Sequence, residues 1–212
     1  MGGRGGSSHR GNGNAFGRGH LAEWTSNESA LRQIMRDTGL SEAAARLVQR
    51  DMIRYFGADY SSFTNGSLPV ETQRITDALL KMPYYNAGPI YRGIDVPNAV
   101  ADRFLQNYQA GTRQSFGILQ SFSSREDVAE SFGRWNAWDS GTTSIKFVMQ
   151  GNKTAPSTVH ISHFGYGESE VLSPHIQEFE VLRAEVDVNA HGHRRVTFYL
   201  EDRTNRKGRR PK

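Results

Sequence analysis

The 212-residue sequence contains no cysteine. Disulfides, thiolate nucleophiles and cysteine-ligated metals are therefore excluded. No apolar run approaches the length needed to span a bilayer, and the first residues lack the hydrophobic stretch of a secretory leader. The expectation is a soluble protein that uses no membrane, with its secretion route unstated by the sequence. Acidic charge is in slight deficit, 22 Asp and Glu against 26 Lys and Arg. Much of the basic excess falls in residues 203–212, so it describes a tail more than a folded body. Aromatic residues are not scarce: 11 Phe, 8 Tyr and 3 Trp supply enough large apolar surface for a core.

Residues 1–20 are rich in Gly, Arg, Ser and Asn. Such a segment buries too little apolar surface to offset its ordering entropy, and it reads as a disordered tail. Its Arg-Gly pairs allow nucleic-acid or ribosome association, as does the basic tail 203–212; a flexible linker is the plainer reading. Residues 21–202 are read as a single domain.

The first part of that domain, 21–88, has helical texture. Leu31, Ile34 and Met35 recur at helical spacing behind a cap at Ser26 or Ser29, and Gly39 is placed to stop them. Ser41 opens a second pattern through Ala45, Val48, Met52 and Phe56, ended by Gly57. A loop is expected over 59–69, then a helix from Glu71 through Ile75 and Leu79 to a stop before Pro83. From 89 to 202 strands dominate, at 90–94, 144–150, 158–163, 171–172, 179–188 and 196–200, with one helix at 98–108. Helices first and strands later imply an α+β class.

Three short segments carry polar groups where apolar ones would serve packing better. Tyr91-Arg92-Gly93 sets an arginine in an apolar run, and a guanidinium suits a phosphate or carboxylate. A solvated strand end is the ordinary alternative. Ser121-Phe122-Ser123-Ser124 precedes Asp127, Ala129 and Phe132, where Ser124 and Asp127 have capping-box spacing. Glu168-Ser169-Glu170-Val171-Leu172 follows Gly165 and Gly167. Two carboxylates two residues apart in an extended chain share one face.

In this order the three segments resemble the arginine-serine-glutamate class of ADP-ribosyltransferases, in its Glu-x-Glu, arginine-modifying subclass. That class includes binary actin-modifying toxins, vertebrate ecto-transferases and bacteriophage-encoded enzymes. The resemblance spans about Thr25 to Asp202. It implies a helical lobe followed by two packed, mostly antiparallel sheets, with NAD as co-substrate in the cleft between them and no metal. It also implies roles. Glu170 binds the ribose hydroxyl and stabilises positive charge as the nicotinamide bond breaks. Ser121 holds Glu170, with Ser123 beside it. Arg92 binds the phosphates, and the Gly93 backbone holds the nicotinamide amide, its missing side chain permitting close approach. Phe132 packs on nicotinamide or stays in the helix core. Arg134 supplies a second phosphate contact, although Trp135 matches that position by spacing. Tyr60 and Asn65 are further cofactor candidates.

Glu168 would orient the acceptor guanidinium and take its proton. Phe164 and Tyr166 would touch the acceptor protein. Two departures from the pattern stand out. Phe122 replaces the usual Thr, and Pro69 replaces the arginine of an Asn-x-x-Leu-Arg motif at 65–69. The histidines at 160, 163, 191 and 193 match no zinc spacing. The resemblance thus implies a monomeric enzyme that transfers ADP-ribose to arginines of target proteins, as an injected or host-expressed effector acting in a host cytoplasm. NAD glycohydrolysis is one alternative. A nucleic-acid-binding or virion protein with a relic transferase fold is the other.

Overall fold

The computed structural model describes residues 27–161 and 168–205. The expected tail 1–20, the loop positions Phe164 and Tyr166, and most of the basic tail lie outside the described residues.

The front of the chain is helical, as its periodicity requires. Helix α1 (Glu28–Thr38) is capped by Asn27, whose side chain accepts from the N–H groups of Ser29 and Ala30 at 3.0 and 3.1 Å. Asn27, and not Ser29, thus fills the cap. Gly39 ends the helix with φ of 68°, a conformation that costs glycine nothing. Helix α2 (Glu42–Phe56) starts at Ser41, which accepts from the Ala44 N–H at 3.4 Å. The expected loop at 59–69 contains a short helix, α3 (Tyr60–Thr64). Helix α4 (Pro69–Leu79) begins two residues before its expected start, because proline suits a first helical position.

The strand-rich part comprises β1 (Ile90–Pro97), α5 (Asn98–Asn107), β2 (Arg113–Ser115), β3 (Gln120–Ser123), α6 (Glu126–Phe132), β4 (Thr142–Gly151), β5 (Glu170–Ser173), β6 (Glu178–Val188) and β7 (Arg194–Asp202). The α+β order holds. One part of the expectation changes: the ladders form one seven-stranded sheet, ordered β2-β6-β7-β4-β1-β3-β5. All its pairings are antiparallel except β4 with β7. The two expected sheets are joined because β1 pairs with β4 along its whole length and with β3 through one partner pair, Tyr91 and Ser123.

Two hydrophobic cores flank that joint. The first packs Leu31, Val48, Met52, Phe63, Ile75 and Leu79 of the helices against Leu119 and Leu172. The second gathers Ile90, Phe122, Phe147, Val171, Phe179 and Phe198. Strands β3 and β5 therefore feed alternate side chains to the two cores, the consequence of period-two geometry.

The expected strand at 158–163 is absent as far as Ile161. The Ile161 N–H bonds the Thr158 carbonyl at 2.8 Å and closes a turn there. The residues just before it make isolated bridges, Pro156 to Tyr84 and Ser157 to Val171.

Candidate active site

Strands β3 and β5 bring the serine and glutamate segments together. Their register sets Ser123 opposite Glu170 and Ser121 opposite Leu172. Opposed residues of an antiparallel pair share a face, so Ser121, Ser123, Glu170 and Leu172 lie on one side. Leu172 identifies that side as the one packed on the helical lobe. Phe122 points the other way and is buried in the second core. Phe in place of Thr between the serines thus leaves both hydroxyls on the Glu170 side. In that register Ser123 sits directly across from Glu170, with Ser121 one pair further along the same face. Glu170 is buried, at 1% exposure.

The Ser121 hydroxyl has a partner that the sequence reading missed. The Tyr55 hydroxyl from α2 lies 3.2 Å from Ser121 Oγ and 3.4 Å from the Leu119 carbonyl oxygen. A carbonyl only accepts, so the phenol can donate there while Ser121 donates to the phenol oxygen. Burial, with the nearby Tyr60 and Glu170, pushes the Tyr55 phenol well above its usual range, while Ser121 and Arg92 pull it down. Tyr55 therefore stays protonated. It sits where the charges of Glu170 and Arg92 are both felt. The helical pattern read from the sequence did not include it, and its ring packs with Phe56, Tyr60 and Phe63.

Arg92 of β1 is half-buried, and its Nη1 donates to the Ser121 carbonyl at 2.8 Å. A guanidinium has five N–H donors, so this bond anchors the side chain and leaves donors for an anion. Arg92, Ser121 and Tyr55 thus form one chain of contacts from β1 through β3 to α2.

The Glu-x-Glu segment is not extended throughout. Ser169 has φ of +46°, an uncommon left-handed setting for a residue with a side chain. The alternation that would place both carboxylates on one face therefore does not operate between Glu168 and Glu170. The turn is held from β3 instead. Ser123 Oγ donates to the Glu168 carbonyl at 2.6 Å, and the Ser124 N–H donates to the Ser169 carbonyl at 2.9 Å. Ser124 Oγ points at the same carbonyl, at 3.3 Å. Ser124 is consequently not the expected helix cap; Arg125 occupies the cap position of α6, without a side-chain cap bond.

Gly93 has a packing reason for being glycine that the sequence does not show. A Cβ there would stand 1.7 Å from the Ala129 carbonyl oxygen and 2.8 Å from the Gly133 nitrogen. The backbone of α6 and of the residue after it makes that close approach. Lys146, paired with Gly93 across β4, ties the same helix down through Glu126 at 2.6 Å and Glu130 at 2.8 Å. Burial pulls the Lys146 ammonium down, and the two carboxylates more than reverse it, leaving it raised.

The remaining candidates are more dispersed. Phe132, at the end of α6, is 43% exposed, which places it outside the helix core. Arg134 carries φ of +51° and pairs with Asp95 at 2.9 Å and Asp139 at 3.0 Å. A phosphate would have to share it with those acids. Lys146 and Arg195 lie over the Trp135 ring, and Trp138 stacks on His191. Tyr60 starts α3 beside the Tyr55 ring. Asn65 spends its side-chain oxygen on Ser67, accepting from N–H at 3.0 Å and from Oγ at 2.6 Å. Among the described residues, no three His, Asp or Glu side chains gather as a metal site, and no helix is long and apolar enough to cross a membrane.

No protein-family model and no curated protein matches the sequence. Solved structures do. Plx2a, an ADP-ribosyltransferase toxin from Paenibacillus larvae, is similar over 82% of this chain and 95% of its own, with TM-score 0.53 and 18% identity. Exoenzyme S from Pseudomonas aeruginosa, solved with human 14-3-3 protein beta and bound to carba-NAD, is similar over 91% and 92%, with TM-score 0.53 and 16% identity. The Vis toxin, an ADP-ribosyltransferase from Vibrio splendidus, is similar over 88% and 86%, with TM-score 0.51 and 16% identity. The chain has the fold of these ADP-ribosyltransferases.

Proposed function

We propose that this protein is an NAD-dependent mono-ADP-ribosyltransferase that modifies arginine side chains of target proteins and releases nicotinamide. The observation that carries the reading is the convergence, within that fold, of buried Glu170, its opposite residue Ser123, and the Arg92–Ser121–Tyr55 chain. The donor set fits NAD: a guanidinium for the diphosphate, and a carboxylate for a ribose hydroxyl, with serines and a protonated phenol to fix both.

The chemistry asks for little else. The bond between ribose C1′ and the nicotinamide nitrogen breaks with its electron pair on nitrogen, so a cationic ring leaves as a neutral one and no general acid is required. Positive charge grows on the ribose, as in glycoside hydrolysis. The buried Glu170 carboxylate stabilises that charge more effectively than a solvated one would. An arginine nitrogen of the target then bonds to C1′. A guanidinium is a weak nucleophile while it holds its proton, and Glu168 accepts that proton as the new bond forms.

Phe164 and Tyr166 are assigned to contact with the target protein, and Phe132 to nicotinamide. The partner is a protein of the host cytoplasm, consistent with a toxin-like or phage-borne effector that works as a monomer. Incubation with labelled NAD and a total cell lysate tests the reading. Label should enter protein with wild type and not with Glu170→Ala. Free ADP-ribose as the sole product would replace transfer by NAD glycohydrolysis.

A further inference from the structure

The carbonyls of Glu168, Ser169 and Glu170 are each held from outside their own segment. The Glu168 carbonyl accepts from Ser123 Oγ at 2.6 Å, and that hydroxyl oxygen accepts in turn from the Arg125 N–H at 3.0 Å. The Ser123 hydroxyl has one hydrogen, and it is committed to Glu168. The Ser169 carbonyl accepts from the Ser124 N–H at 2.9 Å, and the Glu170 carbonyl from the Thr158 N–H at 2.9 Å. In the middle stands Ser169 at φ of +46°.

A residue with a side chain keeps a left-handed backbone only where its surroundings over-determine it. Glycine and asparagine hold such a turn at less cost, and a β-branched residue resists it most. The two glutamates are fixed by different means. Glu170 opens β5, lies opposite Ser123 in the ladder and is buried. Glu168 stands before the turn, so the direction in which it leaves the strand follows from the Ser169 backbone. An extended residue at 169 would send both carboxylates to one face. The left-handed one gives Glu168 a different direction.

We propose, resting on the transferase reading, that Ser169 is a positioning residue. Its left-handed backbone sets Glu168 relative to Glu170, and so decides how much cleaved NAD goes to arginine in place of water. Cleavage breaks the bond between ribose C1′ and the nicotinamide nitrogen, and the electron pair leaves with nicotinamide. Two nucleophiles can then bond to C1′. A guanidinium nitrogen does so as its proton passes to Glu168. A water molecule does so as its proton passes to solvent. Only the first route needs the Glu168 carboxylate in place, so a displaced Glu168 shifts the product toward free ADP-ribose.

The full chain carrying Ser169→Gly, Ser169→Asn or Ser169→Val tests this by two readouts. The first is amide exchange of Ser124, whose N–H loses its acceptor if the turn relaxes. Protection should fall about tenfold in Ser169→Val and hold in the Gly and Asn variants. The Leu172 N–H, bonded to the Pro156 carbonyl at 3.1 Å, reports on β5 and should stay protected in all three. The second readout uses NAD with free arginine as acceptor and compares ADP-ribosylarginine formed with nicotinamide released. That ratio should fall about tenfold in Ser169→Val and match wild type in the Gly and Asn variants. Wild-type protection of Ser124 in Ser169→Val overturns the proposal. So does a wild-type product ratio in that variant, or an equal loss in Ser169→Gly, which would assign the effect to the hydroxyl. Loss of Leu172 protection would mean that the turn does not act apart from the strand, and overturns it too. The exchange readout needs no catalysis. Wild type that releases nicotinamide without forming ADP-ribosylarginine overturns the transferase reading and the product half of the proposal, while exchange still decides the turn.

Discussion

The Tyr55 hydroxyl meets Ser121 Oγ at 3.2 Å across 66 residues of chain. This contact fastens the helical lobe to the strand that faces Glu170. It also locates the candidate site at the seam between the two cores, where a polar group from the helices can reach polar groups on β3 and β5.

Tyr55→Phe removes that contact and keeps the ring among Phe56, Tyr60 and Phe63. A hydrogen bond of this kind contributes on the order of 1 kcal/mol, which corresponds to a rate loss of roughly fivefold if it is felt in the transition state. The expected result is a fall of that size in kcat/KM for NAD cleavage, with a drop in Tm of about 2–4 °C. The same drop in Tm with kcat/KM unchanged would leave Tyr55 a structural tie only.

Gly93→Ala tests why that position is glycine. The added Cβ would stand 1.7 Å from the Ala129 carbonyl oxygen, and a backbone atom cannot swing aside as a side chain can. Overpacking of this sort costs about 1–3 kcal/mol or more. The urea midpoint should drop by a corresponding amount. An unchanged midpoint would mean that α6 is not pressed on β1.

His175 links the lobe to the strands, its Nδ1 lying 2.7 Å from Thr76 Oγ1 on α4. Burial holds its imidazole below the ordinary value, opposed by Asp77. The unfolded chain therefore binds the proton more readily than the folded one, and stability rises with pH across that interval. Stability should be complete above about pH 6.5, the ordinary histidine value, and should decline as pH falls below it. Unfolding free energies from pH 5 to pH 8 check this. His175→Gln should flatten that part of the curve.

Much of this was legible in the sequence for a definite reason. Apolar periodicity reports which face is buried, so α1, α2, the long strands and the common side of Ser121 and Ser123 could all be read from it. The same period two turns Phe122 away from the serines. What periodicity does not report is a polar atom on an apolar face. The Tyr55 ring is core, while its hydroxyl serves Ser121 and the Leu119 carbonyl. The left-handed settings of Ser169 and Arg134 were equally invisible, since neither is Gly or Asn. The capping-box spacing of Ser124 and Asp127 misled because tertiary contact with the Ser169 carbonyl took the Ser124 hydroxyl. Nor does the sequence show that α6 folds back onto Gly93.

The division of labour between the two glutamates is the centre of the account. Glu170 is the buried strand residue, and Glu168 is one turn earlier, with its carbonyl held by Ser123. The most direct test is mass spectrometry of cell proteins treated with NAD and wild type, Glu168→Gln or Glu170→Ala, with nicotinamide release followed in parallel. Wild type should place ADP-ribose on arginine. Glu168→Gln should release nicotinamide without marking arginine, and Glu170→Ala should do neither. ADP-ribosylated arginine appearing with Glu170→Ala at the wild-type level would contradict the account.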